Sequence, residues 1–150
     1  MDFNKMIDLP VVNISKGSRI GVVDDILIDR ETQKVTFILV VTSKLFGIKK
    51  LLPIDQVQKI SRYAVSILNE AGLMNFKKEE DLPFIRYKSD VLKKEVLSDT
   101  GKKIGHVDDG LFDMETGHIV EFTVSDGILQ DLISGRKRIA EIDKILGEKS

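Results

Sequence analysis

The chain contains one stretch of sequence twice. The segment GSRIGVVDDILIDRETQKV (residues 17–35) aligns without gaps with GKKIGHVDDGLFDMETGHI (residues 101–119), at an offset of 84 residues. A second match, at an offset that is one residue larger, aligns IDQVQKI (54–60) with IAEIDKI (139–145). The residues that are identical at the offset of 84 are, in the first copy, Gly17, Ile20, Gly21, Val23, Asp24, Asp25, Leu27, Asp29, Glu31, Thr32 and Val40. Such a repeat means that one supersecondary unit is used more than once, so the sequence predicts a tandem duplication.

Each copy has the pattern of short β-strands. Apolar runs rich in β-branched residues, each long enough for one strand and bounded by turn residues, favour a small antiparallel barrel. In the first copy we predict strands at residues 11–14, 20–28, 35–42, 51–54 and 63–68, a loop at 43–50 and a helical turn at 55–59. The predicted protein is therefore mainly β, with two small barrels in tandem: unit one (1–70), a linker (71–87) and unit two (88–150).

The two copies differ at their ends. The strand predicted at residues 63–68 (YAVSIL) has no counterpart in the second copy, and a barrel that lacks a strand has an open edge. The linker contains several apolar and aromatic residues, among them Phe84, Ile85 and Tyr87. We therefore expect part of residues 82–88 to pack on unit two, and the way in which unit two closes its barrel stays open.

The composition excludes several classes of protein. There is no cysteine, which rules out disulfides, zinc–thiolate sites and thiol catalysis. The net charge is −1, which opposes nucleic-acid binding by bulk positive charge. The first residues do not have the pattern of a signal peptide, and no apolar run approaches the roughly 20 residues of a membrane span. We expect a cytoplasmic protein without a membrane span.

The densest cluster of acidic residues lies in IGHVDDGLFDMETG (residues 104–117), which suggests either a metal site or a strand followed by a turn. A calcium loop needs oxygen ligands at alternate positions, whereas Asp108 and Asp109 are adjacent and point to opposite faces of a strand. Asp29 and Asp113 each precede a predicted hairpin turn, where a carboxylate can accept backbone N–H bonds. We therefore predict no metal, cofactor or catalytic site in this stretch.

Asp25 and Asp109 are harder to interpret, because alternation places each of them on the same strand face as core residues. A buried carboxylate needs hydrogen-bond partners. Either it caps backbone amides at the end of the barrel, or a β-bulge turns it outward. A functional pocket around these two carboxylates is a further alternative.

The repeated pattern Gly-x-x-Ile-Gly-x-Val-x-Asp-hydrophobic-Leu-x-Asp resembles the PRC-barrel family. The residues that carry the resemblance are Gly17, Ile20, Gly21, Val23, Asp25, Leu27 and Asp29, with Gly101, Ile104, Gly105, Val107, Asp109, Leu111 and Asp113 in the second copy. The second copy departs from the family at Gly110, which replaces a hydrophobic residue. The resemblance implies a small β-barrel used in protein–protein and RNA-associated assemblies, and it implies no reaction. In such a barrel, Gly21 and Gly105 should lie where two backbones approach closely or φ is positive.

Two segments are candidates for partner contacts. The loop at 43–50 places Leu45, Phe46 and Ile48 among lysines, and apolar loop residues either cover the end of a barrel or contact a partner. The matching region of unit two contains the other candidates, which are Leu129, Leu132, Arg136, Lys137 and Arg138. The leading hypothesis is a non-enzymatic adaptor that binds a protein partner of unknown identity, or a second copy of itself. The alternatives are an RNA- or ribosome-associated module and, less favoured, a carboxylate-dependent enzyme or metal binder.

Overall fold

The computed structural model describes residues 1–76, 84–97, 100–125 and the strand at 137–139, and the chain is mainly β as predicted. In the first half of the chain the elements are α1 (Phe3–Met6), β1 (Pro10–Asn13), β2 (Ser18–Asp29), β3 (Lys34–Ser43), β4 (Ile48–Pro53), a 3₁₀ turn (Ile54–Gln56), β5 (Val57–Ile60), β6 (Val65–Ile67) and β7 (Met74–Asn75). In the second half they are β8 (Phe84–Arg86), a π-helical turn (Tyr87–Val91), β9 (Glu95–Leu97), β10 (Lys103–Phe112), β11 (Ile119–Ser125) and β12 (Lys137–Ile139).

The strands form two sheets. The larger has eight strands in the order β5-β6-β1-β2-β3-β4-β7, with β8 also paired to β2, and the smaller has the order β12-β11-β10-β9. The predicted loop at 43–50 is shorter than expected, because β3 continues to Ser43 and β4 begins at Ile48. The predicted helical turn at 55–59 is also corrected: the helical part is the 3₁₀ turn, and β5 follows it. β5 pairs with β6, which gives the exposed backbone of residues 57–60 its hydrogen-bond partners.

The repeat in sequence is a repeat in structure. β1, β2 and β3 have β9, β10 and β11 as counterparts, and Val11 faces Gly21 just as Val96 faces Gly105. Both long strands also carry a register shift at the same position, after Val23 in β2 and after Val107 in β10. The shared acidic residues therefore lie at a β-bulge that occurs in both units.

The two predicted glycine positions are confirmed as points of close backbone approach. A Cβ atom added to Gly21 would lie 2.2 Å from the carbonyl oxygen of Val41, and one added to Gly105 would lie 1.5 Å from that of Ser125. Since neither distance is compatible with a side chain, both positions require glycine.

The segment after the linker has a different partner from the one expected. β8 pairs antiparallel with β2 of unit one, with Ile85 opposite Ile28 and Phe84 opposite Asp29. The expectation that part of residues 82–88 packs on unit two does not describe β8, which packs on unit one. It holds for Tyr87, whose ring stacks on Phe3 beside residues of unit two.

The start of the chain makes the reciprocal contact. Asp2 bridges to Leu111 in β10, at the position that corresponds to the pairing of Arg86 with Leu27 in β2. The amide of Phe112 also donates to the carbonyl of Met1. Each unit therefore receives, at the edge of its long strand, a short segment that precedes the first strand of the other unit.

We call residues 1–8 and 85–93 the exchanged segments. They differ in length by one residue. In the second, Leu92 N–H donates to the carbonyl of Tyr87, five residues earlier, whereas α1 is an α-helical turn. The π-helical turn accommodates the extra residue. After these turns, Asp8 and Lys93 occupy equivalent positions in the two units. Both have a φ of 72°, and their backbone N–H groups donate to the carbonyls of Val23 and Val107 respectively.

The main core is shared by both units. The ring of Phe3 is fully buried, and its centroid lies 4.4 Å from that of Tyr87, 4.9 Å from that of Phe112 and 6.0 Å from that of Phe122. Gly110 makes room for this cluster, since an added Cβ would lie 2.7 Å from Phe3 Cδ2. The departure of Gly110 from the repeated pattern thus follows from the aromatic ring that the first segment brings into unit two.

The two repeated hairpins also touch at their turns. Val35 N–H donates to the carbonyl of Gly117, and Ile119 N–H donates to that of Gln33. Gly117 and Gln33 occupy equivalent turn positions with φ of 80° and 56°, and Gln33 adopts this left-handed conformation despite its side chain. The hairpin turns are therefore part of the contact between the units.

Candidate functional site

Asp25 holds the exchanged segment on unit one. Its side chain is 3% exposed, and Oδ1 accepts hydrogen bonds from the backbone N–H of Lys88 at 2.6 Å and of Ile26 at 2.8 Å. Oδ2 accepts a longer bond from Ser89 Oγ at 3.4 Å. The carboxylate thus lies at the bulge of β2 and caps the first amides of the π-helical turn, and it stays buried, so the bulge does not turn it outward.

Asp109 does the same in unit two. Its Oδ1 accepts from the backbone N–H of Asn4 at 3.0 Å and of Gly110 at 2.7 Å. Asn4 also donates through Nδ2 to the carbonyl of Asp108 at 2.7 Å, and it accepts from the hydroxyl of Tyr87. Burial, and after it the nearby charge of Asp109, raises the pKa of Tyr87 above its ordinary value, so the phenol stays protonated and donates.

A pair of substitutions separates capping from charge at Asp25. Asp25→Ala leaves the buried amide of Ile26 and the part-buried amide of Lys88 without this acceptor, and it should lower the free energy of unfolding by about 1–3 kcal/mol. Asp25→Asn keeps the acceptor oxygen, so it should cost much less at neutral pH. Urea titrations of the wild type and both variants measure this difference, and an Asn variant as unstable as the Ala variant would contradict the capping role.

The same variants carry a pH dependence. Burial is the main cause that raises the pKa of Asp25 above its ordinary 3.8, against the backbone hydrogen bonds, which lower it. The folded chain therefore binds this proton more tightly than the unfolded chain. The stability that the protonated carboxyl contributes is complete below 3.8 and is lost as the pH rises through the higher folded value. As the pH rises from 3.8 through the raised pKa of Asp25 in the folded chain, the Asp25→Asn variant should therefore gain stability relative to the wild type.

Three further acids of the repeated stretch, Asp24, Asp29 and Asp113, have structural partners. Asp29 Oδ1 accepts from the amides of Glu31 and Thr32, and Asp113 Oδ1 accepts from those of Glu115 and Thr116, which confirms the predicted turn contacts. Asp24 pairs with Lys49 at 3.1 Å, a cation on the neighbouring part of the sheet. Among the described residues, no group of three or more His, Asp or Glu side chains is placed to hold a metal ion.

The loop between β3 and β4 presents apolar side chains to solvent. Leu45 is 85% exposed and Phe46 is 75% exposed, and Ile48 at the start of β4 is 45% exposed. Gly47 has a φ of 63°, which allows the four-residue connection to turn back, and Ser43 Oγ accepts from the amide of Phe46. Leu45 and Phe46 are therefore too exposed to cover the barrel.

Two shallow depressions lie beside this loop. One, of about 370 Å³, is lined by Arg19, Ile20, Gly21, Val22, Val41, Thr42 and Lys44. The other, of about 280 Å³, is lined by Ser18, Arg19, Ile20, Thr42, Lys50, Glu70 and Leu73. They share Arg19, Ile20 and Thr42, so together they form one groove along the end of β2 and β3, next to Lys44. Reasoning from sequence missed Arg19, because only the pairing of β2 with β3 brings it close to the loop, whereas Lys50 belongs to the predicted loop itself.

The candidate contacts of unit two are placed differently. Leu129, Leu132 and Arg136 lie outside the described residues. Lys137 and Arg138 lie in β12, which pairs with β11 opposite Val124 and Thr123. Among the residues that the structure describes, the candidate contacts that lie together are those of unit one.

Comparison with known families agrees with the repeated architecture. The sequence model of the PRC-barrel domain matches residues 1–71 and again residues 85–146. The chain belongs to the PRC-barrel family. No curated protein matches the chain.

The two PRC-barrel matches also locate the exchanged segments. The second match begins at residue 85, so it includes Tyr87, which the sequence assigned to the linker, and its start is offset by 84 residues from that of the first. In this PRC-barrel chain each domain therefore begins with the segment that contacts its neighbour. Within the described residues, no helix is long and apolar enough to cross a membrane.

Proposed function

We propose that this PRC-barrel protein is a non-enzymatic cytoplasmic adaptor that binds a protein partner through the loop between β3 and β4. The observation that carries the proposal is the exposure of Leu45 and Phe46 at adjacent positions. Burial of a Leu or Phe side chain in a partner contributes roughly 1.5–3 kcal/mol, which makes two such residues strong candidates for an interaction hot spot.

The strands that hold the loop, β3 and β4, favour a binding role for its exposed apolar residues. β3 pairs with both β2 and β4, and Leu51 and Leu52 of β4 are buried below the loop. The loop thus joins two strands that each pair on both sides, since β4 also pairs with β7, and its turn is short. A short loop on a rigid support loses little conformational entropy when it binds.

The experiment is a comparison of what the chain captures from its native cells. We expect the wild-type chain to retain at least one protein that the Leu45→Ser/Phe46→Ser variant loses, because the variant removes the apolar contact and leaves the core intact. The matched control is Tyr63→Ser, which removes another exposed aromatic residue, 68% exposed, from a different loop. Loss of the same protein in the control, or retention by the loop variant, would contradict the proposal.

Treatment with ribonuclease distinguishes the RNA-associated alternative. A partner held by protein contacts stays bound after treatment, whereas a partner bridged by RNA is released. If only nucleic acid, and no protein, depends on Leu45 and Phe46, the adaptor proposal fails.

A further inference from the structure

We infer that the partner is an acidic peptide segment, with an apolar side chain that packs on Leu45 and Phe46 and carboxylates that lie in the adjoining groove. This inference rests on the proposed function and adds the chemistry of the partner. It is carried by the charges around the groove rather than by the loop alone.

The groove has three cations in its walls. Arg19 and Lys44 are exposed, and Lys50 is half-buried. In the part of the chain that the structure describes, none of the three is in a salt bridge. The neighbouring Lys49 differs, because it is paired with Asp24. Free cations are thus concentrated beside the apolar loop of a chain whose net charge is −1.

One carboxylate opposes these cations. Glu70 lines the second depression and accepts a hydrogen bond from Asn13 Nδ2 at 3.1 Å. It leaves an excess of positive charge in the groove, where Arg19 lines both depressions and Lys44 lines the one beside the loop. A carboxylate of the partner fits there, since Arg binds a carboxylate with two parallel hydrogen bonds.

The geometry favours a peptide over other anions. A membrane surface is broad and carries many headgroup charges, whereas this surface offers a small number of cations in a groove beside two apolar residues. A phosphate backbone would bring closely spaced negative charges towards Glu70. A peptide can place single carboxylates at Arg19 and Lys44 and an apolar side chain on Phe46, which meets both features of the surface.

A displayed library of random twelve-residue peptides tests the inference on the full chain. The library is selected on the wild type after depletion on the Leu45→Ser/Phe46→Ser variant, and the enriched peptides are synthesised and measured by fluorescence anisotropy. We expect sequences with Asp or Glu next to an apolar residue. We expect Arg19→Glu/Lys44→Glu to weaken their binding by about 10-fold or more, which corresponds to about 1.4 kcal/mol.

A second charge reversal is the matched control. Lys59→Glu/Lys94→Glu changes the net charge by the same amount at exposed positions that do not line the groove, and it should leave the affinity nearly unchanged. Equal losses in the two charge variants would overturn the inference, because binding would then follow the overall charge.

The other outcomes separate this inference from the proposed function. Loop-dependent peptides without acidic residues, insensitive to Arg19→Glu/Lys44→Glu, would overturn the acidic partner and leave the adaptor function standing. No loop-dependent peptide at all would contradict both. Binding to phosphatidylcholine vesicles that contain phosphatidylglycerol, lost in the loop variant and unmatched by any peptide, would overturn the inference in favour of a membrane surface.

Discussion

Replacing Phe3 with alanine should lower the free energy of unfolding by about 3–5 kcal/mol, the range found for large-to-small changes of buried aromatic residues. The ring is fully buried and stacks on Tyr87 at 4.4 Å, and it also contacts Phe112 and Phe122. The cavity would open between the units, where Gly110 provides no side chain that could fill it. A urea titration followed by circular dichroism measures the loss.

Phe46→Ala is the matched control for this experiment. It removes the same ring from a position that is 75% exposed, and it should change the free energy of unfolding by less than about 0.5 kcal/mol. A loss below about 1 kcal/mol for Phe3→Ala would show that the first segment is not part of the core, and the shared aromatic cluster would then be wrong.

Gly105→Ala should be the most damaging Gly→Ala substitution among the described glycines. The new Cβ would lie 1.5 Å from the carbonyl oxygen of Ser125, and the atom that must move is backbone rather than a flexible side chain. Overpacking costs typically about 1–3 kcal/mol, and we expect the upper end of this range or more, because β10 and β11 must separate. Gly21→Ala should act in the same direction with a smaller loss, since its clash with Val41 is milder at 2.2 Å.

Gly47→Ala controls for the general cost of replacing glycine. An added Cβ meets nothing within 4 Å there, although the φ of 63° disfavours alanine by about 1–2 kcal/mol. Thermal unfolding of the three variants gives the order. If Gly105→Ala unfolds at the same temperature as Gly47→Ala, the close approach of β10 and β11 is not what the structure indicates.

The repeated motif allowed the fold to be predicted from the sequence because its requirements are local. Alternating apolar residues define β2 and β10, and glycines that no side chain could replace define the places where neighbouring strands come closest. The carboxylates of Asp29 and Asp113 bond within their own turns. Such features depend on residues that are near each other in the chain, so they can be recognised in a single sequence.

The exchange of segments could not be predicted in the same way. Phe3 and Tyr87 are at the offset of 84 residues, but the residues around them share little identity, and the π-helical turn shifts the following residues by one. Which unit receives β8 depends on long-range pairing with Ile28, which the alternation of residues does not encode. The aromatic match of Phe3 with Tyr87 is the signal that could have extended the repeat to the exchanged segments.

The role of Asp25 and Asp109 depends on the same exchange. Sequence placed both carboxylates on a core-facing side and left amide capping, a bulge and a functional pocket as alternatives. The structure shows that their partners, Lys88 and Asn4, belong to the segments that arrive from elsewhere in the chain. For the loop, in turn, sequence could not separate a barrel cover from a partner contact, because the exposure of Leu45 and Phe46 depends on where the turn projects.

The most direct test of the adaptor account is photo-cross-linking in the native cell. A photoreactive phenylalanine analogue is incorporated at position 46 of the full chain or, as a control, at position 63. The account predicts a discrete cross-linked protein at position 46 that is absent at position 63 and that persists after ribonuclease treatment. The account would be contradicted by the absence of any cross-link at position 46, or by the same products at both positions.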